Sequence, residues 1–170
     1  MRAVTGADLA LQNNGGLRAE LPQGTVTRSD LYEVMPFDNT IVTVELTGAE
    51  IRRLLEEGLM RERVMQVSGI RYRFDLGRLS GSRVTALLDG EGRPLDERRT
   101  FRVAVNDFMA AGGDDLATLT QARRRVDTNI GVRDAIENDL RARSQMAGGF
   151  RYEGDGRVLR EPGSRAPSGE

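Results

Sequence analysis

Apolar and polar positions along the chain change period several times, and each change marks an element. Residues 7–12, Ala-Asp-Leu-Ala-Leu-Gln, predict a short buried strand that runs into the breakers Asn13-Asn14-Gly15-Gly16. A second loop follows at Leu21-Pro22-Gln23-Gly24. Thr27-Arg28-Ser29-Asp30 has the form of a capped helix start, with Asp30 near the positive end of the helix dipole, and Pro36 stops that helix early. Thr40 to Leu46 is β-branched and alternating, the pattern of a strand. Thr47-Gly48-Ala49-Glu50 then forms a capping box ahead of Ile51, Leu54 and Leu55, which share one helical face; this helix is expected to end near Gly58. Met65–Phe74, Arg83–Leu88 and residues 100–106 predict further strands, with a turn at Asp89-Gly90 and Gly92. A helix is expected over Ile130–Ala142, with Val132, Ile136 and Leu140 on one face. Arg151 to Val158 predicts a terminal hairpin or loop, and from about Glu161 the composition turns to Pro, Gly, Ser and charge, as in a disordered tail. Consecutive strands mixed with helices favour an α+β (mixed α/β) domain with a mixed sheet over a pure βαβ series. The expected division is one domain over 1–160, its start truncated, and a tail over 161–170.

Composition narrows the chemistry. The 170 residues suffice for one domain with a real core, and a net charge of −1 gives no overall field toward nucleic acid or membrane. The chain has no Cys and no His, which excludes disulfides, thiolate chemistry and any catalytic triad built on histidine. All 25 basic residues are Arg. Arg123-Arg124-Arg125 has no neighbouring aromatics and is read as a solvated face, not a nucleic-acid patch. Glu56-Glu57 is read as a pair of surface charges. No apolar run is long enough to span a membrane, and residues 1–8 lack the apolar segment of a signal peptide. The protein is then either cytoplasmic or a piece of something longer.

Three loops carry candidate chemistry. In Asn13–Arg18, Asn13 can donate and accept at once and Arg18 can fork onto a phosphate or carboxylate. In Pro36-Phe37-Asp38-Asn39, Pro36 fixes the backbone before an aromatic, and Asn39 either caps locally or faces a ligand. In Asn106-Asp107-Phe108-Met109-Ala110-Ala111-Gly112-Gly113-Asp114-Asp115, a strand runs into an aromatic, two glycines and acids. Gly112 and Gly113 allow positive φ and close approach, Phe108 offers a flat face to a base, and Asp114 can accept from sugar hydroxyls. The alternative is a strand ending in a Gly-Gly turn, with Phe108 in the core and Asp114 as a helix N-cap; from this segment alone it has the better claim. Two of few aromatics placed beside Gly- or Asn-rich loops raise the pocket reading, since stacking a base on an aromatic contributes roughly 1–3 kcal/mol.

Asn13-Asn14-Gly15-Gly16-Leu17-Arg18, Pro36-Phe37-Asp38-Asn39, Val67-Ser68-Gly69 and Asn106 to Asp114, in this order and followed by Asp155-Gly156-Arg157-Val158, resemble the C-terminal domain of the 5′-nucleotidase family. The resemblance covers about residues 2–160. It implies a nucleotide-recognition domain whose parent carries two divalent metal ions on a separate N-terminal metallophosphoesterase domain, with no cofactor in this chain. By the resemblance Phe37 and Phe108 sandwich the base, Asn39 and Asn13 hydrogen-bond the base or position the ligand, and Asp114 holds the ribose. Arg18 contacts the phosphate and Gly69 lets the backbone approach the base. The family's upstream phosphate-clamping arginines are absent, and Asp115 stands where the family has Gly. The resemblance also implies a periplasmic or extracellular parent that hydrolyses nucleotides, UDP-sugars or cyclic phosphodiesters, this chain alone being inactive. Its partners are a nucleotide or nucleoside and the N-terminal domain, with no nucleic acid and no membrane span. The alternative is a stand-alone, non-catalytic nucleoside-binding or interaction module.

Overall fold

The computed structural model describes residues 1–145 and 154–161. Its elements are α1 (Arg2–Thr5), β1 (Leu9–Gln12), α2 (Arg28–Val34), β2 (Thr40–Thr47), α3 (Gly48–Met60), β3 (Gln66–Ser68), β4 (Ile70–Phe74), β5 (Val84–Asp89), β6 (Thr100–Asn106), α4 (Asp107–Ala110), α5 (Ala117–Thr120), β7 (Arg123–Gly131), α6 (Val132–Ser144) and β8 (Val158–Arg160). This is the expected α+β domain, although its strands divide between two sheets.

The larger sheet has the order β3-β1-β6-β2-β7, with β1 and β6 parallel and the other pairs antiparallel. The smaller has the order β5-β4-β8. Side-chain alternation sorts the large sheet's residues onto two faces. Leu9, Leu11, Val42, Val44, Leu46, Phe101, Val103 and Val105 join a core with Ile51, Leu54, Leu55 and Leu59 of α3. The interleaved Ala10, Ile41 and Ala104 join a second, smaller core with Met35 and with Val132 and Ala135 of α6. Alanine on the second face lets α6 lie close to the sheet.

Both capping boxes form. The Asp30 amide donates to Thr27 Oγ1 at 3.3 Å while the Thr27 amide donates to the Asp30 carboxylate at 2.6 Å. Thr47 and Glu50 repeat the arrangement at 3.2 and 2.6 Å, and the Thr47 amide holds the Glu50 carboxyl below its ordinary range.

Several expectations need correction. Met65–Phe74 is not one strand: β3 and β4 belong to different sheets and part at Gly69 (φ 86). A Cβ there would lie 2.5 Å from the Asp8 carbonyl oxygen, so only glycine fits. The helix after β2 does end near Gly58, at Met60, and Gly58 itself gives the Arg63 carbonyl room to pack, 2.8 Å from a Cβ position. Ile130 lies in β7, and the last helix starts at Val132. β7 itself escaped the pattern: as an edge strand it is largely exposed, and its pairing with β2 is broken by two register shifts. Val158 opens β8, which pairs in parallel with β4. Residues 151–153 of the predicted hairpin or loop, and 162–170 of the predicted tail, lie outside the described residues. Glu161 still belongs to the small sheet, its amide donating to the Phe74 carbonyl at 2.9 Å.

Tyr72 joins the two sheets. Its hydroxyl accepts from the Met65 amide at 3.1 Å and donates to the Met65 carbonyl at 2.9 Å, and burial raises its pKa above the ordinary value of 10.0. Tyr72→Phe is expected to lose about 1–3 kcal/mol, because it strands two buried backbone groups; urea unfolding measures this. A raised phenol pKa makes the wild-type contribution complete below pH 10 and lost as pH rises above it through the folded-state value, whereas the variant's stability is flatter in that range.

Candidate functional site

Strand directions bring the three loops to one end of the large sheet. β1 and β6 are parallel, so their C-terminal ends, Gln12-Asn13 and Asn106-Asp107, emerge together. β2 is antiparallel to β6, with Ile41 opposite Asn106, so the Pro36–Asn39 loop enters at the same end.

A buried amide cluster joins the first loop to the third. Asn106, 1% exposed, donates from Nδ2 to Gln12 Oε1 at 3.2 Å and Asn13 Oδ1 at 3.0 Å. Its Oδ1 accepts the Met109 amide at 2.8 Å and so caps α4. Gln12 Nε2 adds a bond to Asn13 Oδ1 at 3.1 Å. Asn13 in turn donates from Nδ2 to Asp114 Oδ2 at 2.7 Å. Asn13 is therefore turned inward, and its exposure is only 6%. Arg63 Nη1 holds the other oxygen, Asp114 Oδ1, at 2.5 Å. Asp114 and Asp115 adopt left-handed conformations with φ 60 and 62, which Asp tolerates better than most residues.

Phe108 is 47% exposed and Phe37 46%, so neither is a core residue. Asp114 is no helix N-cap, since its carboxylate is shared between Asn13 and Arg63. The plainer alternative for the Gly-Gly-Asp segment is thus corrected at both points. Gly112 takes the expected positive φ of 88, but Gly113 does not; it is needed for space, because the Phe108 ring lies 2.5 Å from where its Cβ would stand.

The middle loop is tied to the third. Asn39 Nδ2 donates to Asp107 Oδ1 at 2.6 Å, and that oxygen also accepts the Phe108 amide at 3.0 Å. Phe37 and Phe108 thus stand on linked loops. The ring pair formed among the described residues is Tyr72 with Phe74, so the two candidate rings do not close on each other. The Arg18 amide donates to the Val34 carbonyl at 2.8 Å, which ties the first loop to the end of α2, and the Arg18 side chain is exposed. Gly69 is not brought to this cluster. It lies at the opposite end of β1, against Asp8, Leu9 and Arg2, and its role there is the break between β3 and β4.

Sequence reasoning missed Arg63, Gln12, Asn106 and Asp107. Asn106 carried a signal, an amide closing a strand just before a helix turn; Arg63 carried none, since its partner is distant in the chain. Glu56, read as a surface charge, is 7% exposed and accepts the Arg83 and Val84 amides at 3.1 and 2.6 Å, where it starts β5. Glu57 accepts the Thr118 amide and hydroxyl, fastening α5 to α3. Among the described residues no three acids gather as a metal site, and Asp114 is already held by an amide and a guanidinium. Clefts of about 320 and 490 Å³ lie elsewhere, one over β4 and β8 and the other between α1, β1 and α6, and neither is lined by Phe37, Phe108 or Asp114.

The arrangement thus sets exposed rings on tied loops near a carboxylate held by an amide and a guanidinium. A family model described as 5′-nucleotidase, C-terminal domain, matches residues 1–121. The chain belongs to this family. It is 36% identical over 130 residues to the trifunctional nucleotide phosphoesterase protein YfkN of Bacillus subtilis, covering 71% of this chain and 9% of that protein. To the snake venom 5′-nucleotidase of Crotalus adamanteus it is 33% identical over 122 residues, covering 62% of this chain and 21% of that protein. The solved structure of a 5′-nucleotidase precursor from Thermus thermophilus superposes with a TM-score of 0.84 at 38% identity, over 94% of this chain and 32% of that one. The chain thus spans under a third of the length of each of these relatives.

Asn106→Ala is expected to destabilise the chain by at least about 2 kcal/mol, because it removes the α4 cap and leaves buried amide groups without partners. Asn106→Asp keeps the cap acceptor but sets a buried carboxylate oxygen against Gln12 Oε1 and Asn13 Oδ1, so at neutral pH it should destabilise at least as much as the alanine variant in urea unfolding.

Proposed function

We propose that this chain recognises the nucleoside part of a nucleotide and presents its phosphate ester to a metallophosphoesterase domain of the same parent protein. The observation that carries the reading is the pair of half-exposed rings, Phe37 and Phe108, on loops tied together through Asn39 and Asp107. Apolar rings left in water on braced loops are suited to stacking a heterocycle between them. Asp114, held by Asn13 and Arg63, offers its carboxylate to the ribose hydroxyls. Asn39 has its amide nitrogen engaged by Asp107, which leaves its oxygen to accept from a base. The exposed Arg18 supplies a guanidinium for the phosphate. Asn13 acts through Asp114 and not on the base.

The exposure of both rings accords with a half-site that a second domain completes. Two divalent metals held by that domain would activate a water; this chain's residues bind and orient the substrate, which lowers the barrier by positioning. The reading extends to a periplasmic or extracellular parent in nucleotide catabolism. Among the described residues no helix is long and apolar enough to cross a membrane.

Calorimetric titration with adenosine, AMP and UMP tests the reading. Weak saturable binding is expected, and Phe108→Ala should weaken it by roughly 1–3 kcal/mol. Because the ring is half exposed, the same change should cost well under the roughly 3–5 kcal/mol of stability lost with a core phenylalanine. A variant that binds as the wild type does, or that unfolds, counts against the pocket. Incubated with AMP and a divalent metal, the chain alone is expected to release no phosphate.

A further inference from the structure

Arg133 occupies the second position of α6, where a cation opposes the positive end of the helix dipole. Its surroundings account for it. The side chain is only 12% exposed. One nitrogen, Nη1, donates to the carbonyls of Met35 at 2.7 Å and Phe37 at 3.2 Å, and so bridges Pro36. The other, Nη2, donates to the Asp38 carboxylate. The guanidinium lies 3.8 Å over the ring of Tyr32, on α2. One planar cation therefore gathers α2, α6 and the loop from Met35 to Asp38. Lysine could not replace it, because a single ammonium cannot span two carbonyls and a carboxylate while lying flat on a ring.

We propose that Arg133 is a positioning residue that fixes the Phe37 loop, so that the exposed ring is set for stacking before the base arrives. The proposal rests on the nucleoside-recognition reading above. Phe37 packs too little of its own surface to hold itself, being 46% exposed. Its backbone is instead held at its own carbonyl and at that of Met35 before it, and the residue after it is held through the Asp38 carboxylate. A loop already ordered loses less freedom when the ligand binds, and so binds it more tightly.

The test is a double-mutant cycle on the full chain, with Arg133→Gln, Phe37→Ala and the pair together. It is read by titration with adenosine and with ribose 5-phosphate, which has no base. Arg133→Gln is expected to weaken adenosine roughly tenfold, within the coupling range of residues in contact, and to leave ribose 5-phosphate unchanged. In the Phe37→Ala background the same change should have no further effect on adenosine. Equal losses in both backgrounds, or a matching loss with ribose 5-phosphate, would mean that Arg133 only supports the fold, and the proposal falls. If Arg133→Gln does not fold, Arg133→Lys carries the same cycle with the same criteria. If Phe37→Ala alone leaves adenosine affinity intact, or the wild-type chain does not bind adenosine at millimolar concentration, the nucleoside reading itself fails and takes this proposal with it. Loss with Phe37→Ala but none with Arg133→Gln overturns the positioning role alone.

Discussion

The parallel pairing of β1 with β6 is the constraint on which the rest of the structure depends. It is short, with Leu9 opposite Val103 and Ala10 opposite Ala104, yet it decides where two distant loops emerge. Parallel neighbours end at the same edge of a sheet, so the amides of Gln12, Asn13 and Asn106 are forced together in a place nearly closed to water. Buried amides must find partners, and these find one another. The result is a rigid polar joint from which Asp114 is held on one side and α4, with Phe108, is launched on the other.

The two faces of the large sheet divide the remaining labour. Large aliphatic residues face α3 and build most of the core, whereas alanines at positions 10 and 104 face α6. The close seat of α6 matters at its N-terminus, where Arg133 reaches the loop that carries Phe37. On the opposite face the turn after α3 places Arg63 on Asp114 and Arg61 on Asp115, the latter pair at 2.9 Å and largely exposed. The turn after α3 and the start of α6 thus each bring a guanidinium to a candidate loop, and the partly buried contacts of Arg133 and Asp114 define geometry more firmly than the exposed Arg61–Asp115 pair. The fold places its order in the loop backbones and leaves the aromatic faces of Phe37 and Phe108 largely in solvent.

Much of this was legible in the sequence because its causes are local. Both capping boxes, the strands at 40–47, 84–89 and 100–106 and the stop at Pro36 follow from neighbouring residues, as do the three candidate loops. The resemblance to the nucleotidase C-terminal domain rested on short ordered segments, and the family match agrees with it. What the sequence hid is non-local. β7 is an exposed edge strand held by pairing with β2, so its own residues show no burial pattern. The 65–74 run is continuous in composition, but its backbone turns at Gly69, where the Asp8 carbonyl just before β1 leaves room for glycine alone. Glu56 looks like any helix-surface acid until the start of β5 is laid against it.

The sequence by itself determined the period of each segment, the places where the chain must turn and the absence of thiol and imidazole chemistry, since these depend on residue type and near neighbours. Only the tertiary structure decided which residues share an edge. It turned Asn13 inward as a support, moved Gly69 to the far end of β1, set Phe37 and Phe108 in solvent, and brought Arg63 and Arg133 to loops tens of residues away. The physical reason is that hydrogen bonds and ion pairs across such separations exist only once strand order and direction are fixed, and no local pattern encodes that order.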